Sequence, residues 1–202
     1  IATPAAVLSA GPYRDGDFSP PGQPEKGAWL WRDANGDGRM TADEYAAAPV
    51  PQGEFWASYV DERGDIWQGA RDGRLHHWRC EGLDERGIPR WDPAKVETER
   101  VPGEITDFLR LEYLAGQDVM LLGGQTAERK LTGGEWGTVG TELFCYEAWS
   151  KSAERKLRWR IPLAYEPGKK WAVSLAAAGD FAFTVDCKSA EVSVFSLKDG
   201  ST

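Results

Sequence analysis

The sequence predicts an all-β fold: β-propeller-type blades of four antiparallel strands, with one short helix after an EF-hand-like calcium loop. Three observations predict it. From Phe55 onward, short runs rich in β-branched and aromatic residues alternate with turns bearing Gly and Asp. The order strand, turn, strand recurs, and its second strands open Gly-Asp-Ile-Trp at Gly64, Gln-Asp-Val-Met at Gln117 and Gly-Asp-Phe-Ala-Phe at Gly179. Their spacing is uneven but close to a propeller blade of about 40–50 residues plus loop insertions. Each run is also too short to stand alone, so the units must bury their faces against neighbours. A twisted β-sandwich of hairpins is the alternative. Three units fall short of the four to eight blades that typically close a ring, so an incomplete ring or a fragment of one is expected.

Residues 1–26 form an irregular lead-in, with prolines at 4, 12, 20, 21 and 24 and a possible strand around Ala5 to Leu8. Residues 27–53 hold a strand, the calcium loop and a helix. Trp29-Leu30-Trp31 reads as the strand, because Pro24 and Gly27 oppose a helix there. The helix is expected from Thr41 to Ala48, ended by Pro49 and Pro51, with a turn at Pro49 to Gly53.

Residues 54–202 supply about three blades. The first has strands at Phe55 to Val60, Ile66 to Gln68, Arg74 to Cys80 and around Pro89 to Trp91. The second has Ile105 to Tyr113, Asp118 to Leu122, Glu142 to Trp149 and Leu157 to Pro162. The third has Ala172 to Ala176, Asp180 to Val185 and Glu191 to Leu197. The Gly-rich run from Gly123 to Gly134 lacks the Gly-Lys-Ser/Thr of a phosphate-binding loop and reads as a mobile surface connection.

The residues that carry chemistry lie in Asp33 to Glu44, DANGDGRMTADE. Asp33, Asn35 and Asp37 occupy calcium-loop positions 1, 3 and 5, and Gly38 sits at the sharp turn of position 6. Arg39 contributes its carbonyl at position 7, Thr41 acts at position 9, and Glu44 is the closing carboxylate at position 12. Ca²⁺ is a hard cation that takes about six to eight oxygens. Three carboxylates in one tight loop are costly without a cation and favourable with one. The competing reading is a surface turn followed by a capped helix, since Thr41 and Glu44 also make a capping box. That box does not need Asp33, Asn35, Asp37 and Gly38 as well. No second such loop occurs, which departs from paired EF-hand sensors.

The remaining candidates are weaker. His76 and His77, the only histidines, are adjacent, so on a strand they point to opposite faces and are expected to be structural. Cys80, Cys145 and Cys187 show no metal-ligand spacing, and their odd number leaves at least one thiol unpaired. The acids Asp61, Glu62, Asp65, Asp84, Glu85, Asp186 and Glu191 sit mostly at turns. Most of the ten tryptophans are expected in the core, with Trp136, inside a Gly-rich loop, the candidate for an exposed, sugar-stacking ring. A net charge of −8 argues against a nucleic-acid partner. No apolar run reaches the ~18 residues of a membrane span.

The segments YVDERGDIWQG, RLHHW and GLDERGIPRWD resemble β-propellers of NHL or quinoprotein-like type. Together with W-x-D-x-N-G-D-G from Trp31 to Gly38, they resemble the calcium-loop-bearing propellers of exported bacterial proteins. AGDFAFTVDCKSAEVSVFSLKDGS is similar to a quinoprotein or WD-like blade. The resemblance implies a calcium-binding propeller module. The expectation is a non-catalytic scaffold or binding domain, extracellular or periplasmic, whose partner is another protein, further propeller blades or a glycan. The alternative is a fragment of a propeller enzyme, a quinoprotein dehydrogenase or a polysaccharide-active one. The chain opens at Ile1 without a signal peptide and is expected to be processed or a piece of a longer one.

Overall fold

The computed structural model describes residues 5–15, 19–48, 57–70 and 72–202. Part of the lead-in, the turn at Pro49 to Gly53, Phe55 at the start of its strand and Arg71 in a later turn lie outside the described residues.

Among the described residues, all regular structure is antiparallel β-sheet apart from two single 3-10 turns. Strands β1 (Ala6–Ser9), β2 (Trp29–Arg32) and β3 (Tyr45–Ala47) form the first sheet, in that order. A strand therefore enters the loop from Asp33 to Glu44, as the sequence predicts. The expected helix is shorter than read. One 3-10 turn, Ala42–Glu44, is followed at once by β3, which pairs Tyr45 with Trp31 and Ala46 with Leu30. Pairing with β2 outweighs the helix propensity of the alanines, because an isolated two-turn helix is marginal.

The second sheet contains β4 (Ser58–Val60), β5 (Ile66–Gly69) and β6 (Arg74–Trp78). Next come β7 (Cys80–Leu83) and β8 (Pro89–Trp91), which among the described residues pair only with each other. The fourth strand of the second sheet is β9 (Glu97–Arg100) rather than Pro89–Trp91. The third sheet runs β10 (Ile105–Leu114), β11 (Val119–Thr126), β12 (Glu142–Glu147), β13 (Lys156–Pro162). The last has three strands, β14 (Ala172–Ala178), β15 (Phe181–Asp186) and β16 (Val192–Ser196).

The sheets stack face to face. Side chains alternate across each strand, so a strand packed on both sides must be apolar at every position. That is why β11 reads Val-Met-Leu-Leu and β12 reads Leu-Phe-Cys-Tyr. Met120, Leu122, Phe144 and Tyr146 join Trp67, Leu75 and Phe108 in the core against the second sheet. Val119, Leu121, Leu143 and Cys145 join Trp159, Leu175 and Phe195 in the core against the last. All three thiols are free, and burial pushes that of Cys145 up to about 12.

The Gly-rich run is not a surface connection throughout. Gly123 and Gly124 lie inside β11 and are buried. Gly140 has φ +112°, and a Cβ there would sit 2.1 Å from the Gly124 carbonyl oxygen. These glycines permit a close backbone crossing that no side chain would fit.

Candidate functional site

The twelve-residue loop is folded around its first carboxylate. Asp33 is 1% exposed. Its Oδ1 accepts from the N–H groups of Gly36 and Asp37 at 2.9 and 3.1 Å, and its Oδ2 from that of Gly38 at 3.0 Å. Gly36 and Gly38 take φ of +76° and +71°, which bends the loop back over Asp33. Asn35 Oδ1 accepts from the Asp37 amide, and Asp37 Oδ1 from the Arg39 amide. Asn35, Asp37 and Arg39 are exposed.

Glu44 closes the loop from the other side. Its Oε1 accepts from the Asn35 amide at 3.2 Å, while its Oε2 accepts from the Thr41 hydroxyl at 3.0 Å and the Trp31 indole at 3.1 Å. Burial pushes the Glu44 carboxyl up, but the Asn35 amide, the Thr41 hydroxyl and the Trp31 indole outweigh it and hold it below its ordinary value. Loop positions 1 and 12 are thus buried acids held in place by hydrogen bonds. No Lys or Arg pairs with Asp33, Asp37 or Glu44 among the described residues. The donors are all oxygen, which suits Ca²⁺ rather than a soft or nitrogen-seeking metal. Among the described residues, no three His, Cys, Asp or Glu side chains converge closely enough to hold a metal ion. Asp33 and Glu44 turn onto backbone amides, and Asp37 faces solvent.

The residues around the loop do not show what clasps it. The turn of the β7–β8 hairpin does so. Arg32, the residue before Asp33, donates to Asp84 Oδ2 at 2.5 Å and to the Pro89 carbonyl at 3.0 Å. Arg86 donates to the Ala34 carbonyl and packs over Gly36. The signal was the repeated Asp-Glu-Arg-Gly. In both copies the first Asp closes the same turn: Asp61 Oδ1 accepts from Arg63 and Asp65, and Asp84 Oδ1 from Arg86 and Ile88. The spare oxygen then reaches a partner, the Trp67 indole for Asp61 and Arg32 for Asp84.

A polar cavity of about 350 Å³ opens between the second and third sheets. His77 stacks on Trp67 at 3.7 Å, and its Nε2 lies 2.8 Å from Asp65 Oδ2. His76 turns instead to the Thr98 hydroxyl at 2.8 Å. Arg79 forms a two-bond pair with Glu97, and Arg155 forms one with Glu99 while covering the Trp149 ring at 3.7 Å. Burial, then the bond to Asp118, raises Tyr113 to about 12. The Glu-x-Glu alternation of β9 is the sequence signal for this wall. Glu112, on the neighbouring face of β10, is raised to about 7 by burial. Trp136 is 75% exposed, away from the cavity lining.

No family model matches the chain, and no curated protein does. The fold is similar to a Bacteroides fragilis protein of known crystal structure, provisionally named a 6-phosphogluconolactonase, at 12% identity and a TM-score of 0.50. The match covers 95% of this chain and 48% of that one, so the chain spans about half the length of the structure it matches. The likeness shows the propeller-like fold. It also corrects the expectation of a non-catalytic module, because a protein named as an enzyme is built on this fold.

Proposed function

We propose that the chain is a calcium-stabilised module of propeller type that works outside the cytoplasm, with Ca²⁺ held by Asp33, Asn35, Asp37, the Arg39 carbonyl, Thr41 and Glu44. The observation that carries this reading is the pair Asp33 and Glu44. They are buried acids at the first and last ligand positions, without a basic partner among the described residues. The ion fixes the angle at which β2 leaves and β3 returns, and so how the first sheet seats on the β7–β8 turn. This is the calcium-loop propeller of exported proteins that the sequence resembles, serving to present a surface to a protein, a further blade or a glycan. Extracellular calcium levels suit such a loop. Terbium, a luminescent stand-in for Ca²⁺, tests it. Excitation of Trp31 sensitises bound terbium, Ca²⁺ displaces it, and Glu44→Gln abolishes the signal. Sensitised emission that survives Glu44→Gln and Asp33→Asn together places the ion elsewhere.

A second reading, a propeller enzyme, rests on the cavity between the second and third sheets. Its wall carries paired charges of both signs, with Ser150 and Thr98 beside them, which suits a small polyhydroxylated or acidic substrate. Hydrolysis of a phosphorylated sugar lactone by the purified chain is the first assay. Turnover lost in Glu97→Gln supports the reading, and no turnover above the uncatalysed rate removes that substrate.

A further inference from the structure

The cavity between the second and third sheets is walled by charges of both signs, and the two signs are not equally engaged. Every carboxylate oxygen in the wall already has a partner. Asp65 meets the Cys80 amide through Oδ1 and His77 through Oδ2, both at 2.8 Å. Glu97 accepts two bonds from Arg79, each at 3.0 Å. Glu99 accepts two from Arg155, at 2.9 and 3.0 Å, and Arg155 is held further by the Trp149 carbonyl.

Arg63 differs. It stands exposed in the turn between β4 and β5 and lines the same cavity. Among the described residues no carboxylate pairs with it. Its guanidinium reaches across to the Ala115 carbonyl, in the turn after β10, at 3.5 Å, the outer limit of a hydrogen bond. Trp149 also lines the cavity. It is 0% exposed, and its indole N–H has no acceptor among the described residues. The unengaged capacity of the charged wall is thus cationic and donating.

We infer that the cavity selects an anion: a small polyhydroxylated acid whose carboxylate or phosphate pairs with Arg63. This rests on the second reading above, that the cavity takes a small molecule, and adds the charge which that molecule carries. A guanidinium is a planar fork of donors that matches two oxygens of a carboxylate or phosphate. A cationic ligand finds no free carboxylate and must break a two-bond arginine pair to gain one. A neutral polyol leaves Arg63 without a counter-charge. The net charge of −8 opposes anions at long range. Screening at physiological salt acts within about 8 Å, so the groups inside the cavity decide.

The test uses four ligands on one carbon frame: sorbitol, neutral; glucamine, a cation; and the anions gluconate and sorbitol 6-phosphate. Binding to the full chain is followed at constant ionic strength through the indole N–H signals in nitrogen-15 NMR spectra. Trp67 and Trp149 line the cavity, and Trp136 lies away from it. The anions should shift the Trp67 and Trp149 signals and bind at least about tenfold more tightly than sorbitol, with glucamine weakest. The tighter anion identifies the group, carboxylate or phosphate. Arg63→Gln should erase the preference and leave sorbitol binding unchanged, while Arg63→Lys keeps part of it. Arg63 is an exposed turn residue, so both variants should retain the indole spectrum of the parent. Sorbitol or glucamine bound as tightly as the anions overturns the inference and leaves the cavity reading standing. So does an anion preference that survives Arg63→Gln, or a shift confined to Trp136. Binding of none of the four removes the cavity reading itself, and this inference with it.

Discussion

The indole N–H of Trp31 donates to Glu44 Oε2 at 3.1 Å, tying the last residue of the loop to the strand that enters it. Thirteen residues apart in sequence, the two are brought together because Tyr45, next after Glu44, pairs across the sheet with Trp31. The cross-strand pair thus sets the geometry of the loop. Trp31→Phe keeps the buried ring and removes the donor, leaving the carboxylate short of one bond. The expected cost is about 1 kcal/mol in urea denaturation without calcium, with weaker Ca²⁺ binding. Unchanged stability and unchanged affinity contradict the tie.

Arg32 and Asp84 clasp the loop onto the β7–β8 turn with side chains 24% and 16% exposed. A partly buried, charge-assisted bond should be worth about 1 kcal/mol in a double-mutant cycle of Arg32→Ala and Asp84→Ala. Hydrogen exchange in residues 33–38 should quicken in either single variant. A coupling near zero, with exchange unaltered, means that the hairpin merely lies alongside.

At Gly140 the left-handed φ and the 2.1 Å approach to the Gly124 carbonyl oxygen act together. Gly140→Ala must move one of two buried backbones, so a loss of about 3 kcal/mol is expected. Gly134→Ala, with nothing within 4 Å of its Cβ, is the control and should change stability little. Equal effects at the two sites contradict the crossing argument.

Glu112 makes stability depend on pH. Its pKa rises from 4.5 to about 7 on folding, because burial disfavours the carboxylate. The folded chain therefore holds this proton more tightly than the unfolded one. The contribution is full below pH 4.5 and is lost as pH rises through about 7. Part of the group is solvated, so the effect is on the order of 1 kcal/mol rather than the full shift. Glu112→Gln should flatten the stability curve over that window, and an unaltered slope contradicts the assignment.

Much of this was legible in the chain itself. Apolar runs bounded by Gly and Asp located most strands, because period-two burial leaves a local signature. The sharp turn of the loop was legible at Gly38, whose φ is +71°; that the loop ligates calcium is the proposal. Pairing across distance was not legible. Nothing near Glu97 marks it as the edge of a sheet begun at Ser58, and Pro89–Trp91 satisfied the same local pattern. The helix expected after Thr41 had the right propensity, but β2 offered its residues a better set of backbone partners. Asp84 and Arg86 read as turn residues, and only the fold carries them to Arg32 and Ala34. The cavity of His77, Glu97, Glu99 and Arg155 is assembled from residues far apart in the chain, so the Glu-x-Glu alternation of β9 marked one wall and not the partners it meets.

The central claim is that Ca²⁺ binds between Asp33 and Glu44 and stabilises the fold. The most direct measurement is the thermal midpoint of the chain in EDTA and in millimolar Ca²⁺, beside the same pair for Glu44→Gln. A ligand at a hundredfold excess over its Kd adds about 2.7 kcal/mol, a rise of roughly 5–10 °C for a chain of this size. Mg²⁺, which demands a smaller octahedral shell, should give much less. The account predicts that rise in the parent and its loss in Glu44→Gln. A midpoint that ignores calcium in the parent, with no stoichiometric ion bound, would contradict it.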